Sequence, residues 1–377
     1  MFINRIKLAV PGAVVFVVGC SSGSSVDGNI VTGEGFSNPN PVVTNQWGEL
    51  PAGRVWGHTA GIDIDPTDGH IWAYERCGAG GGGGAAGGPM NCDTNPVDPI
   101  FKFDRSTGEV LANFGAGIFT IPHGIHVDYE GNVWVTDFAT NASGTKGQQV
   151  HKFSPDGELL MSLGVAGQAD DDSAHFNGPN DVVVAADGSI FVSDGHAGQG
   201  MTTAGAVEEG RQAGQTGRIL KFAADGTFIM QWGQLGAAHG EFRTPHALEI
   251  DSQDRLWVAD RGNHRLEIFD LEGNYLESRY SYGRISGIFI TDDNLVYAID
   301  SESDPFRHVN WMAGVRVGPL NEDRLTAFIP GYPDETRGYQ STAGEGVAVD
   351  ADGTFFAAEG PASIPIASGA FTRYSAD

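Results

Sequence analysis

Positive charge is scarce in this chain. Its 377 residues include 22 Lys and Arg against 48 Asp and Glu, a formal net charge of −26 with histidine neutral. That balance argues against nucleic acid and against direct adsorption to an anionic lipid surface. Long apolar runs are scarce too. The best candidate, Leu8 to Val18, is too short to cross a bilayer as a helix. Cysteine is limited to three residues, so if one is modified a single pair remains.

Residues 1–19 read as a lipoprotein signal peptide rather than as part of the fold. Arg5 and Lys7 supply a positive start, Leu8 to Val18 the apolar stretch, and Val17-Val-Gly-Cys20 resembles a lipobox, which makes Cys20 the expected lipidation site. Residues 20–45, rich in Ser, Gly, Asn and Pro, are expected to be a flexible tether, and residues 46–377 the folded domain. The expected location is the cell envelope, periplasmic or outer-membrane, with membrane contact only through the lipid; otherwise the protein is secreted. With Cys20 modified, Cys77 and Cys92 remain, bracketing a glycine-rich run from Gly78 to Gly88. In an exported protein such a pair is expected to form a disulfide.

What the chain has in quantity is glycine, 55 residues, together with 21 Phe and 7 Trp. Turns need the first and strands use the others, so an all-β domain is expected. One phrase organises it: Thr120-Ile-Pro-His-Gly-Ile-His-Val-Asp-Tyr-Glu-Gly-Asn-Val-Trp-Val-Thr-Asp137. Two alternating, β-branched runs around Glu130-Gly131-Asn132 predict a hairpin, with strands over 124–128 and 133–137. The phrase recurs from Gly61, Asp181, Ala247, Gly287 and Gly346, making six copies. Several are followed by a run ending in Lys-Phe or Ile-Phe (Phe103, Phe153, Phe222, Phe269), then a turn and a further strand. Four strands per repeat and six repeats predict a six-bladed β-propeller that takes up the mature chain.

The position just before the first strand varies from copy to copy: Ala60, His123, Asn180, His246, Ser286 and Glu345. A carboxylate ends each second strand: Glu75, Asp137, Asp194, Asp260, Asp300 and Glu359. In an antiparallel hairpin these two places share an edge, so both sets are expected on one face, the first as a ring around one mouth of the central channel. His123, His246 and Glu345 fall on alternate blades. Two imidazoles and a carboxylate so spaced suit Zn²⁺ with one position left open; the alternative is three polar groups bonded to channel waters. Arg76 and Arg261 directly follow the carboxylates of blades one and four and could clamp a carboxylate-bearing substrate, or pair with neighbouring acids. Insertions at 77–99, 139–149, 195–217 and 301–319 leave from the same edge, as the walls of a site would.

Ala259-Asp-Arg-Gly-Asn-His-Arg-Leu266 resembles the signature of the NHL repeats. Three longer stretches, around Pro122 to Asp137, His175 to Gly195 and Gly240 to Arg261, resemble peptidyl-α-hydroxyglycine α-amidating lyase, closely from about Ile121 to Phe269 and weakly beyond. The resemblance implies a propeller that holds Zn²⁺ through three histidines, the first two matching His123 and His246, with Glu345 in place of the third. It implies Ca²⁺ bound through the main chain of Ile62 and Ile125, with Gly346 where the family has an aspartate ligand. It implies catalytic arginines at Arg76 and Arg261. Where the family has its catalytic tyrosine this chain has His196, a candidate base, with Tyr74 a second; Ala343 replaces a methionine. The implied reaction is cleavage of the C–N bond of an N-(α-hydroxy)glycine amide to an amide and glyoxylate by a monomeric enzyme acting on a small or peptide substrate with a carboxylate. Other expectations for the same ring are a metal-dependent propeller hydrolase or lactonase, and a non-catalytic propeller that binds peptide, glycan or an envelope protein.

Overall fold

A computed structural model describes residues 35–54, 56–78, 91–196, 216–303, 308–334, 339–342, 344–358 and 371–376. Cys20, Ala343, Glu359, most of the glycine-rich run after Gly78 and the body of the 195–217 insertion lie outside them.

Among the described residues, six four-stranded antiparallel sheets form the blades of a β-propeller. Blade one is built from Thr59–Ile64, Ile71–Glu75, Ile100–Phe103 and Val110–Phe114. Blade two comprises Pro122–Val127, Val133–Asp137, Gln149–Phe153 and Leu159–Leu163. Blade three comprises Pro179–Val184, Ile190–Asp194, Arg218–Phe222 and Phe228–Trp232. Blade four comprises Pro245–Ile250, Arg255–Asp260, Arg265–Asp270 and Tyr275–Arg279. Blade five comprises Gly287–Ile290, Leu295–Asp300, Gly314–Pro319 and Ala327–Pro330. In blade six, Gly346–Val349, Phe355–Ala358 and Phe371–Ser375 are joined at the outer edge by Val42–Trp47. The first strands of successive blades contact one another right round the ring, blade six returning to blade one.

Two expected boundaries shift. Residues 42–45, read as the end of a tether, belong to the strand that completes blade six, with Val42 opposite Ser375. The blade-five insertion is shorter than expected, because Gly314–Pro319 within it is the third strand of that blade.

The core lies between blades rather than within them. Six clusters of buried apolar residues each join two neighbouring sheets, as where Trp72, Tyr74 and Phe119 of the blade-one side meet Val127, Val133 and Phe153 of blade two. Trp72, Trp134 and Trp257 occupy the same place in three repeats and are buried. A tryptophan in such a site removes on the order of 200 Å² from water, about 5 kcal/mol of apolar burial before entropy is counted. Each indole N–H is satisfied by the aspartate that begins the hairpin turn: Trp72 to Asp65 at 3.1 Å, Trp134 to Asp128 at 2.9 Å, and Trp257 to Asp251 at 2.7 Å. The lysine of the third-strand Lys-Phe ending closes the arrangement, Lys102 on Asp65 at 2.7 Å and Lys152 on Asp128 at 3.2 Å. Close approach at the axis needs glycine at Gly124, where a Cβ would stand 2.6 Å from the carbonyl oxygen of Asn180.

Candidate active site

The pairing of first and second strands slips at the same place in blades one to four: between Thr59 and Gly61, Pro122 and Ile125, Pro179 and Asp181, and Pro245 and Leu248. A bulge re-aims the side chain it carries. Here it turns Ala60, His123 and His246 towards an axial cavity that Ser286 and Glu345 also line. The ring is laced from blade to blade. His123 Nδ1 bonds the Asn180 carbonyl at 2.8 Å, Asn180 Nδ2 the Pro245 carbonyl at 2.7 Å, and His246 Nδ1 the Ser286 carbonyl at 2.7 Å.

Those bonds fix the tautomers. A carbonyl only accepts, so Nδ1 of both histidines carries the proton and each Nε2 presents a lone pair. Burial, followed by the neighbouring His196 and arginines, holds the His123 imidazole well below its ordinary pKa; burial and Arg261 do the same for His246. Both are neutral. The Nε2 of His246 faces Glu345 Oε2 at 3.5 Å, and neither atom has a hydrogen-bond partner although both are buried. Burial raises the Glu345 pKa, opposed by Arg261, and a metal ion is one group that two such facing acceptors could share. Donor atoms sharing one tetrahedral Zn²⁺ stand about 3.4 Å apart, given metal–ligand distances of about 2.0–2.2 Å, so the His246–Glu345 separation fits a shared metal.

His196 joins them. Its ring centroid lies 4.8 Å from that of His123 and 5.7 Å from that of His246, and the ligand atoms of all three histidines fall within 4.8 Å of one another. The imidazole stacks on Phe138 at 4.3 Å. Burial, with Arg261 and Arg76 adding to it, pushes its pKa down to about 3, which makes it a weak proton acceptor at neutral pH. Tyr74 is elsewhere. Its side chain is packed in the interblade core with Cys77, Cys92 and Phe119, away from the channel, and burial raises its pKa well above the ordinary value. The expected disulfide between Cys77 and Cys92 is present in that same core.

The two arginines differ. Arg76 is buried and held by acceptors without charge, Nε on the Pro122 carbonyl at 2.8 Å and Nη1 on His58 Nδ1 at 3.0 Å, with its guanidinium 5.5 Å over the Phe138 ring. Burial brings it down to about 10, opposed by Glu345. Arg261 opens a short 3₁₀ turn and faces acids, Glu345 Oε2 at 3.5 Å and Glu302 Oε2 at 3.8 Å. Glu302 is shared with Arg284 at 2.7 Å. His58, Arg284, Glu302 and Phe138 were not singled out from sequence. His58 and Arg284 each stand two residues before a ring position, a regularity the repeat alignment contains.

The second-strand carboxylates prove to be structural. Asp137 accepts the main-chain N–H of Thr120 at 2.7 Å and of Ile121 at 2.6 Å. Asp194 accepts Asn177 N–H at 2.7 Å and Arg218 Nε at 2.9 Å, and Asp260 accepts Arg243 N–H at 2.7 Å and Arg265 Nε at 2.9 Å. Each pins the segment that leads into its blade's ring residue. Ile62 and Ile125 lie in the first strands of blades one and two and line the cavity; Gly346, whose missing Cβ would stand 3.3 Å from Ile62 N, offers no side-chain donor there.

The fold is a six-bladed β-propeller, and within it residues 242–269 match the NHL repeat. Its sequence is homologous to the amidating lyases. It is 32% identical over 239 residues to peptidyl-alpha-hydroxyglycine alpha-amidating lyase 1 of Drosophila melanogaster, covering 60% of this chain and 36% of that protein. It is 30% identical over 302 residues to peptidyl-glycine alpha-amidating monooxygenase A of Xenopus laevis, covering 73% and 28%. NHL repeat-containing protein 3 of Homo sapiens is 32% identical over 154 residues, covering 40% and 39%. The chain thus spans well under half the length of each of these relatives. Among solved structures, a gluconolactonase from Xanthomonas campestris superposes with a TM-score of 0.52 at 15% identity, covering 88% of this chain and 89% of that one. A streptogramin B lyase gives 0.51 at 14%, covering 89% and 98%. These two share the fold.

Proposed function

We propose that the protein is a metal-dependent carbon–nitrogen lyase that cleaves N-(α-hydroxy)glycine-type amides to an amide and glyoxylate. The observation that carries this reading is the facing pair His246 Nε2 and Glu345 Oε2, with the His123 ring 4.6 Å from that of His246 and Arg261 3.5 Å from the same carboxylate oxygen. His123, His246 and Glu345 would hold the metal, which as a Lewis acid supplies polarisation of the substrate hydroxyl. Arg76, bound only through neutral acceptors in its hydrogen bonds, is the guanidinium best placed to receive the substrate carboxylate. Arg261 fixes Glu345. The hydroxyl gives up its proton, the C–N bond breaks, the carbinol carbon becomes the aldehyde of glyoxylate, and the nitrogen leaves protonated as the amide.

The lipobox-like Val17 to Cys20 supports a place at the cell envelope, and the acidic composition supports a substrate other than nucleic acid. The test is direct. Protein loaded with Zn²⁺ is incubated with N-benzoyl-α-hydroxyglycine, and glyoxylate and benzamide are measured. Equal amounts of both, abolished in Arg76→Ala, support the assignment; neither product from metal-loaded protein refutes it and favours the non-catalytic propeller.

A further inference from the structure

We propose that His196 is a fourth protein donor at the position defined by His123, His246 and Glu345, rather than a proton acceptor beside it. The inference rests on the metal reading above and deepens it.

The placement is the first reason. His123 belongs to blade two and His246 to blade four, and their rings stand 4.6 Å apart. His196 follows the second strand of blade three, between them, and brings a third imidazole whose ligand atom lies within 4.8 Å of the other two. Glu345 approaches from blade six on the far side, 3.5 Å from His246. His246 Nε2 and Glu345 Oε2 are buried and face each other with no hydrogen bond to either, Arg261 being the cation nearest that oxygen. A shared cation would satisfy imidazole lone pairs and a carboxylate oxygen brought together in this way.

The second reason is how firmly His196 is seated. Its ring is stacked on Phe138 with an interplanar angle of 26°. Its main-chain N–H donates to the Gly178 carbonyl at 3.0 Å. Gly178 itself has φ +91°, and a Cβ there would sit 3.1 Å from the His196 Cβ. A glycine cleared of side chain on one side and an aromatic ring on the other hold the imidazole at the ring's edge. Four protein donors leave a tetrahedral Zn²⁺ no vacant position. Substrate oxygen would then enter by expansion to five-coordination or by displacing His196.

The experiment compares the purified protein with His196→Phe and His196→Cys. Phenylalanine keeps the stack on Phe138 and removes the donor; cysteine keeps a donor and adds a spectroscopic signature. Far-UV circular dichroism and a thermal melt establish that each variant is folded. The expected results are Zn²⁺ binding on the order of tenfold or more weaker in His196→Phe, no less than is lost with an outer-shell partner, and a thiolate-to-metal charge-transfer band in Co²⁺-loaded His196→Cys that the parent lacks. Folded His196→Phe with the parent's Zn²⁺ affinity, or Co²⁺ bound to His196→Cys without that band, overturns the inference and leaves the three-donor reading standing. Failure of the parent itself to bind Zn²⁺ or Co²⁺ overturns both.

Discussion

Asp137 and Asp194 hold equivalent places in successive repeats, and their partners predict unequal costs for the same substitution. Asp137 is fully buried and accepts two main-chain N–H groups, from Thr120 and Ile121. Burial raises its pKa to about 7, against the pull of those two amides, so near neutrality its charge contributes little. In Asp137→Asn one oxygen is kept and an amide donor is turned against a main-chain donor. One buried N–H loses its acceptor, at a cost of about 1–3 kcal/mol. Asp194 accepts one main-chain N–H and also Arg218, a buried guanidinium whose other nitrogens reach the carbonyls of Asp170, Asp171, Asp172 and His175. Asp194→Asn leaves that charge without its counterion in a dry site, at about 3–5 kcal/mol. Denaturant unfolding followed in parallel by tryptophan fluorescence and far-UV circular dichroism measures both. Equal losses, or the larger one for Asp137→Asn, would refute the claim that the arginine rather than the main chain sets the value of these carboxylates.

Three further outcomes are expected. Asp181 is half-buried with main-chain donors on its oxygens, and desolvation raises its pKa from 3.8 to about 7. The folded state therefore binds more protons than the unfolded state between about pH 4 and pH 7, and stability falls as pH rises through that window. Asp181→Asn should flatten the fall in unfolding free energy between pH 4.5 and pH 7.5, and an unchanged slope would count against it. Gly124→Ala puts a Cβ 2.6 Å from the Asn180 carbonyl oxygen; it should lower the melting temperature and weaken Zn²⁺ binding together, since Asn180 also anchors His123. Replacing Cys77 and Cys92 by serine opens a loop of 15 residues, a loss of about 3 kcal/mol in the loop-entropy account, to be read from unfolding with and without reductant.

Much of the architecture was legible because each blade repeats its own instructions. The alternating first and second strands, the turn between them and the carboxylate that ends the second recur in six copies, and that one phrase was enough to indicate the fold and the ring that carries His123, His246 and Glu345. What was hidden lay where a repeat is interrupted. Val42–Trp47 has no hairpin partner next to it in sequence, so its pairing with Phe371–Ser375 leaves no local trace. Gly314–Pro319 lacks the Lys-Phe ending that marks other third strands, so spacing alone places it in an insertion. His196 sits just past a second strand, where spacing says nothing of whether a side chain turns inwards; Phe138 and Gly178, far from it in sequence, decide that. The second-strand carboxylates were visible as a regularity, but their work as anchors for the segments before each first strand depends on hydrogen bonds that no periodicity reports.

The latch formed by Val42–Trp47 on Phe371–Ser375 has a consequence for how the protein comes into being. Those strands are more than three hundred residues apart in the chain, so the sheet they share is a long-range pairing of the kind that slows folding. Until it closes, blade six has no fixed place against blade one, and Glu345 has no fixed place across from His246. A nascent chain would thus carry every donor yet hold them apart, and metal capture would report that the circle is complete.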